Sequence, residues 1–166
     1  KIYMKILLSK DFGEDKSSND TIDEFMEATS SDFEKLTLFF DRGSHNADGS
    51  HQNDNLAFVG LDFEERNEAL SIAVKTAVQQ KCEAILFFNR ESFPKQDIVN
   101  KLANPLEDQN IFATFSDYTI DDMLMVQNTP VVICRRIENC EDLYDLSKCE
   151  GIVKYIPLDL YNVKTN

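Results

Sequence analysis

Residues 84–92 read Ala84-Ile85-Leu86-Phe87-Phe88-Asn89-Arg90-Glu91-Ser92: five apolar residues in a row, then an abrupt polar turn. An unbroken apolar run of strand length suits a central parallel strand covered on both faces, because neither of its faces meets water. The flanking sequence supplies the covers. Upstream, Asp62 and Glu65 have capping-box spacing, and Ala69, Leu70, Ala73, Ala77 and Val78 make the inner stripe of a helix ending near Gln80. Downstream, Ser92 as cap and Pro94 in the first turn predict a helix carrying Ile98, Val99 and Leu102, which stops before Pro105.

The same grammar extends outward. Ile2 to Leu8, Leu36 to Phe40, Leu56 to Leu61, Ile111 to Phe115, Pro130 to Cys134 and Ile152 to Ile156 read as further strands. Thr21-Ile22-Asp23-Glu24 reads as a capping box opening a first helix, with Ile22, Phe25, Met26, Thr29 and Phe33 at helical intervals. Asp117 to Asp122 reads as a polar turn into a short helix. Strands alternating with amphipathic helices predict an α/β fold: three layers, with a mostly parallel central sheet and helices on both faces. No repeat, low-complexity tract or internal boundary interrupts the chain, so residues 1–166 read as one domain. The phenylalanines Phe39, Phe40, Phe87 and Phe88 are then core, not a platform for stacking bases.

Composition narrows the functional classes. Among 166 residues, 17 Lys and Arg face 30 Asp and Glu, a formal net charge of −13. Affinity for nucleic acid that rests on neutralising many phosphates is therefore not expected. No apolar run of about 18 residues and no charged leader with an apolar core are visible, so the expectation is no membrane span and no secretory signal. Cys82, Cys134, Cys140 and Cys149 form no CxxC pair and read as reduced thiols. These features predict a cytoplasmic or virion-associated protein. His45 and His51 lie in a Gly-, Ser- and Asn-rich loop that fails the EF-hand pattern and reads as solvated surface. Cys82 reads as a small buried apolar group.

In an open parallel sheet, ligands bind outside the carboxyl ends of the strands. The segments to inspect are Ser9-Lys10-Asp11, Asp41-Arg42-Gly43-Ser44, Asp62 to Asn67, Asn89-Arg90-Glu91-Ser92 and Ser116-Asp117-Tyr118. In order and spacing these resemble the family 2 glycosyltransferases with the GT-A fold, which move a sugar from a nucleotide diphosphate sugar to an acceptor hydroxyl. Phe40-Asp41-Arg42-Gly43-Ser44 resembles the family's V-D-D-G-S segment, and Glu65-Arg66-Asn67-Glu68-Ala69-Leu70 its A-R-N-x-A/G-L helix start. Ile85 to Ser92 stands where the family writes a strand followed by D-x-D-D. Cys140-Glu141-Asp142-Leu143 resembles its E-D-x-D-L segment, and Val153 to Tyr161 its closing strand.

The resemblance implies nucleotide contacts at Asp41, Arg42, Arg66, Asn67 and Arg90, a metal position at Asn89 and Glu91, and a general base at Asp142 with Glu141 second. The departures alter that picture. A hard cation such as Mg²⁺ or Mn²⁺ wants anionic oxygens, yet the first ligand position is the neutral amide Asn89, and Arg90 adds positive charge beside it. Arg42 stands where the family often has an acid, and the stretch between Asp117 and Glu141 leaves little room for an acceptor wall.

Two readings follow. In one, Arg42, Arg90 and Lys10 replace the metal in neutralising a diphosphate, and the chain is an active inverting glycosyltransferase, with Mg²⁺ or Mn²⁺ entering only if it is active. In the other, favoured by several contributors having changed together, the site is degenerate and no cofactor is expected. The fold then serves as a binding or structural module with protein partners in a larger assembly, viral assemblies included. A third reading, an acidic adaptor or nucleic-acid mimic, rests on charge alone.

Overall fold

The computed structural model describes residues 4–13, 18–42, 55–61, 68–138 and 151–165. In chain order the elements are β1 (Lys5–Asp11), α1 (Asn19–Ala28), β2 (Glu34–Arg42), β3 (Leu56–Leu61), α2 (Glu68–Gln79), β4 (Ala84–Phe88) and β5 (Ser92–Pro94). There follow α3 (Ile98–Ala103), which runs on into a 3-10 turn, then β6 (Ile111–Ile120), β7 (Met123–Met125), β8 (Cys134–Arg136) and β9 (Ile152–Val163). One mixed sheet has the order β3-β2-β1-β4-β8-β6-β9-β5, and β7 adds to β6. Strands β3, β2, β1 and β4 are mutually parallel, β8 runs against both its neighbours, and β6 and β9 are again parallel. This is the expected α/β fold with a mostly parallel sheet.

Strand alternation explains the layers. Ile6, Leu8, Phe39, Leu86 and Phe88 point to one face and pack with Ile22 and Phe25 of α1 and Ile98, Val99 and Leu102 of α3. Leu7, Leu38, Phe40 and Ile85 point to the other and pack with Ala69, Ala73 and Ala77 of α2. The small side chains on α2 let that helix approach the sheet closely. Phe39, Phe40 and Phe88 are buried, as core residues should be. Strands β2 and β4 are interior, and because β2, β1 and β4 are parallel, their carboxyl ends lie on one rim.

Several local expectations are corrected. Polar Ser9, Lys10 and Asp11 extend β1 rather than leaving it, in register with Leu38, Phe39 and Phe40. The capping box of α1 sits three residues earlier than expected: Ser18 Oγ accepts from the Thr21 amide while Thr21 Oγ1 accepts from the Ser18 amide. Ser92 and Pro94 do not start a helix. They form β5, antiparallel to Val163 and Tyr161, and α3 begins only after Asp97, whose φ is 72°. Asp117 to Ile120 continue β6, and Asp121-Asp122, with φ of 46° and 69°, make a two-residue hairpin turn into β7 instead of a helix. The strand expected over Pro130 to Cys134 starts only at Cys134. The Asp62/Glu65 capping box and the loop with His45 and His51 lie outside the described residues. No helix among the described residues is long and apolar enough to cross a membrane.

Candidate functional site

The rim formed by β2, β1 and β4 gathers Asp41, Arg42, Asp11, Lys10 and the Asn89–Ser92 loop. Adjacent residues of a strand point to opposite faces, so Asp41 and Arg42 cannot line one pocket together. Arg42 shares the face of Phe40 and α2. There its guanidinium makes a two-pronged ion pair with Asp11, Nη1 donating to Oδ1 and Nη2 to Oδ2, each at 3.0 Å. The two side chains are 1% and 5% exposed. The Gly13 amide donates to the same Asp11 Oδ1 at 2.8 Å, and the Arg42 amide donates to Gly13 O at 3.1 Å. Gly13 has a φ of 64°, which lets the chain turn back over the pair. Arg42 Nε is buried without an acceptor among the described residues. Asp41, on the opposite face, is buried as well.

Lys10 lies on that opposite face, 1% exposed, under the loop that follows β4. Its ammonium donates to three backbone carbonyls of that loop: Asn89 O at 2.7 Å, Ser92 O at 2.8 Å and Arg90 O at 3.2 Å. It also stands 4.0 Å from the centroid of the Phe93 ring. A buried ammonium needs partners for all three of its hydrogens, and this loop provides them. The loop is therefore wrapped around a cation that belongs to the chain itself.

The side chains of the loop are similarly engaged. Asn89 Oδ1 accepts from the Glu91 amide at 3.2 Å, closing a local turn. The Arg90 side chain lies across Gly13, where a β-carbon would come within 2.6 Å of its Cδ. Glu91, about half exposed, faces Arg90 Nε at 3.9 Å. A divalent cation needs several hard anionic oxygens converging on one point. Here the amide oxygen is taken by a backbone N–H, and the one carboxylate sits beside a guanidinium. Among the described residues no three His, Cys, Asp or Glu side chains form a metal-holding group. Among the described residues, Asn89 and Glu91 do not offer Mg²⁺ or Mn²⁺ the converging anionic oxygens it needs.

One rim carboxylate acquired no role from sequence. Thr114 is level with Leu86 through Cys134, so Asp117 stands at about the height of Asn89, two strands away. Asp117 is buried and accepts from Tyr155 Oη at 2.6 Å and from the Gln127 amide at 2.8 Å. That hydrogen bond, then desolvation, pushes the Tyr155 hydroxyl above its ordinary range. The carboxylate thereby fastens β9 and the segment after β7 to β6. Its position after the Ile111–Phe115 strand was the available signal, but nothing in the sequence paired it with Tyr155. Arg66, Asn67, Glu141 and Asp142 lie outside the described residues.

No protein-family model matches the chain, and no curated protein matches it in sequence. Solved structures do match it in shape. The 4-diphosphocytidyl-2C-methyl-D-erythritol synthase of Anaerococcus prevotii is similar at 13% identity and a TM-score of 0.57, over 98% of this chain and 90% of that one. S. aureus TarS 1-349 is similar at 12% identity and a TM-score of 0.60, over 98% of this chain and 60% of that one. The chain thus shares the overall α/β fold of these two proteins over nearly its whole length.

Proposed function

We propose that this chain is a nucleotide-diphospho-sugar transferase-like domain whose metal-dependent transfer chemistry has degenerated, and which serves as a binding or structural module with protein partners in a larger assembly, a virion included. One observation carries this reading: two of the three rim cations read as neutralising a diphosphate, Arg42 and Lys10, are held internally. Arg42 is forked onto Asp11, and Lys10 is held by the carbonyls of Asn89, Arg90 and Ser92. Guanidinium and ammonium groups hold phosphate oxygens well only when their donors face the ligand. Donors already pointing at buried acceptors add structure instead.

Exposed apolar side chains support a protein partner. Met123 is 70%, Val126 61% and Leu124 54% exposed on and beside the β6–β7 hairpin, apolar surface that a partner would cover. The net charge of −13 argues against nucleic acid as that partner. The competing reading is an inverting glycosyltransferase with Asp142, and Glu141 second, as general base.

The test is turnover. The purified chain is incubated with UDP- and GDP-sugars, with Mn²⁺ or Mg²⁺, and nucleoside diphosphate release is followed. The expected outcome is no release above the protein-free rate. Release that falls about 10²- to 10⁴-fold in Asp142→Asn, the usual contribution of a general base, establishes the enzyme reading instead.

A further inference from the structure

The end of β9 lies between β5 and the β6–β7 hairpin, which among the described residues are not paired strand to strand with each other but are also joined by Lys95 Nζ donating to Thr119 Oγ1 at 3.1 Å. On one side it pairs with the loop that follows β4: Ser92 with Val163, Phe93 with Asn162 and Pro94 with Tyr161. The Lys164 amide donates to Glu91 O and the Lys95 amide to Leu160 O, both at 2.8 Å, while Lys95 Nζ reaches Asp159 Oδ2 at 2.6 Å. On the other side it ties the β6–β7 hairpin: the Asp121 amide donates to Val163 O at 2.9 Å, and the Asp121 carboxylate accepts from the Thr165 amide at 3.0 Å and from Thr165 Oγ1. Thr119 Oγ1 meets Asn162 Oδ1 at 2.6 Å.

β5 is only three residues long and has β9 as its ladder partner. A strand this short has no independent stability, so its order is borrowed from the neighbour it pairs with. That neighbour is latched at the same end by a hairpin turn.

We propose that residues 159–165 form a clasp that couples the Asp121 hairpin turn to the Asn89–Lys95 rim loop, so that the two open together as one cooperative unit. The coupling goes beyond the functional reading, since it holds whether or not the loop meets a ligand. Asp121 is its latch. With a φ of 46° it tolerates glycine, so Asp121→Gly keeps the turn and removes only the carboxylate.

Native-state hydrogen exchange on the full chain reads the coupling amide by amide. In Asp121→Gly the Lys95 and Lys164 amides should exchange about tenfold faster or more, while the β1, β2 and β4 amides keep their rates. Asp121→Asn, whose amide oxygen still accepts from Thr165, should recover most of the protection. Coupling is reciprocal, so Lys164→Pro, which removes the N–H donated to Glu91, should speed exchange at the Asp121 amide, whereas Lys164→Met should not. If Asp121→Gly frees the Thr165 amide while Lys95 and Lys164 stay at wild-type rates, the clasp is refuted. Uniform acceleration across all strands would equally refute it, by showing global destabilisation. Should Asp121→Gly fail to fold, Thr165→Val, which removes the Oγ1 donor and keeps the amide one, should give a smaller acceleration at the same Lys95 and Lys164 amides, and none there refutes the clasp.

Discussion

Arg42 shows how a single side chain changes meaning once its partner is known. Next to Asp41 in a rim segment it reads as a ligand-facing cation. In the fold it is half of an ion pair with Asp11, the two side chains 1% and 5% exposed. Breaking such a pair from one side strands a buried charge and costs about 3–5 kcal/mol, whereas replacing both partners with apolar groups is often neutral. Asp11→Asn should therefore lower unfolding stability in denaturant by roughly that amount, and Asp11→Leu combined with Arg42→Met should recover most of it. A loss below about 1 kcal/mol in Asp11→Asn would mean that Arg42 is a surface-like charge free to meet a ligand. The pairing was not legible in sequence because the partners are 31 residues apart and meet only through the register of β1 against β2. Lys10 hid for a related reason. Its acceptors are backbone carbonyls, and these carry no sequence signature.

At the scale of elements, the sequence was most readable where burial alone decides. β3 and β4 have the bounds that their apolar runs predict, and α2 follows its alanine stripe. Reading failed where short strands are held by neighbours distant in sequence. β5, β7 and β8 have three residues each, and none has a periodicity to detect. The continuation of β6 through Asp117 to Ile120 was masked by polar residues whose partners come from β9 and from the segment after β7. Two buried side chains on β8 and β9, the strands that flank β6, also make a pH prediction. Burial raises the Cys134 thiol from an ordinary 9.0 to about 12, against a smaller opposing effect of Arg136. Burial likewise raises Tyr161 to about 12, although its hydroxyl oxygen accepts from the Val131 and Val132 amides. Both groups are neutral when folded and ionise more readily when unfolded. Their contribution is thus complete below pH 9 and is lost as the pH rises toward 12. Chemical denaturation midpoints should stay level from neutrality to about pH 9 and then fall, and Tyr161→Phe should flatten part of that fall. A midpoint independent of pH up to 12 would contradict the burial of these two groups.

At the scale of the whole molecule, the fold was legible and the fate of its site only in part. Alternating strands and helices announced an α/β sheet, and the order of rim segments pointed to a sugar-nucleotide transferase-like architecture, which the similarity in shape to solved structures supports. The sequence also displayed the amide at Asn89 and the cation at Arg90. What it could not display is that Asn89 Oδ1 closes a turn on Glu91 and that Lys10 fills the underside of the loop. On the reading proposed above, these contacts make the rim a self-contained structural unit rather than an open diphosphate seat. A ligand that binds only the native state raises its stability by RT ln(1 + [L]/Kd), about 2.7 kcal/mol at a hundredfold excess over Kd. The most direct measurement is thermal melting of the intact chain with Mn²⁺ together with UDP or GDP at millimolar concentration. The rim described here predicts a melting temperature unchanged by either nucleotide, with or without the metal. A clear upward shift that needs both metal and nucleotide, and that disappears in Glu91→Ala, would contradict it.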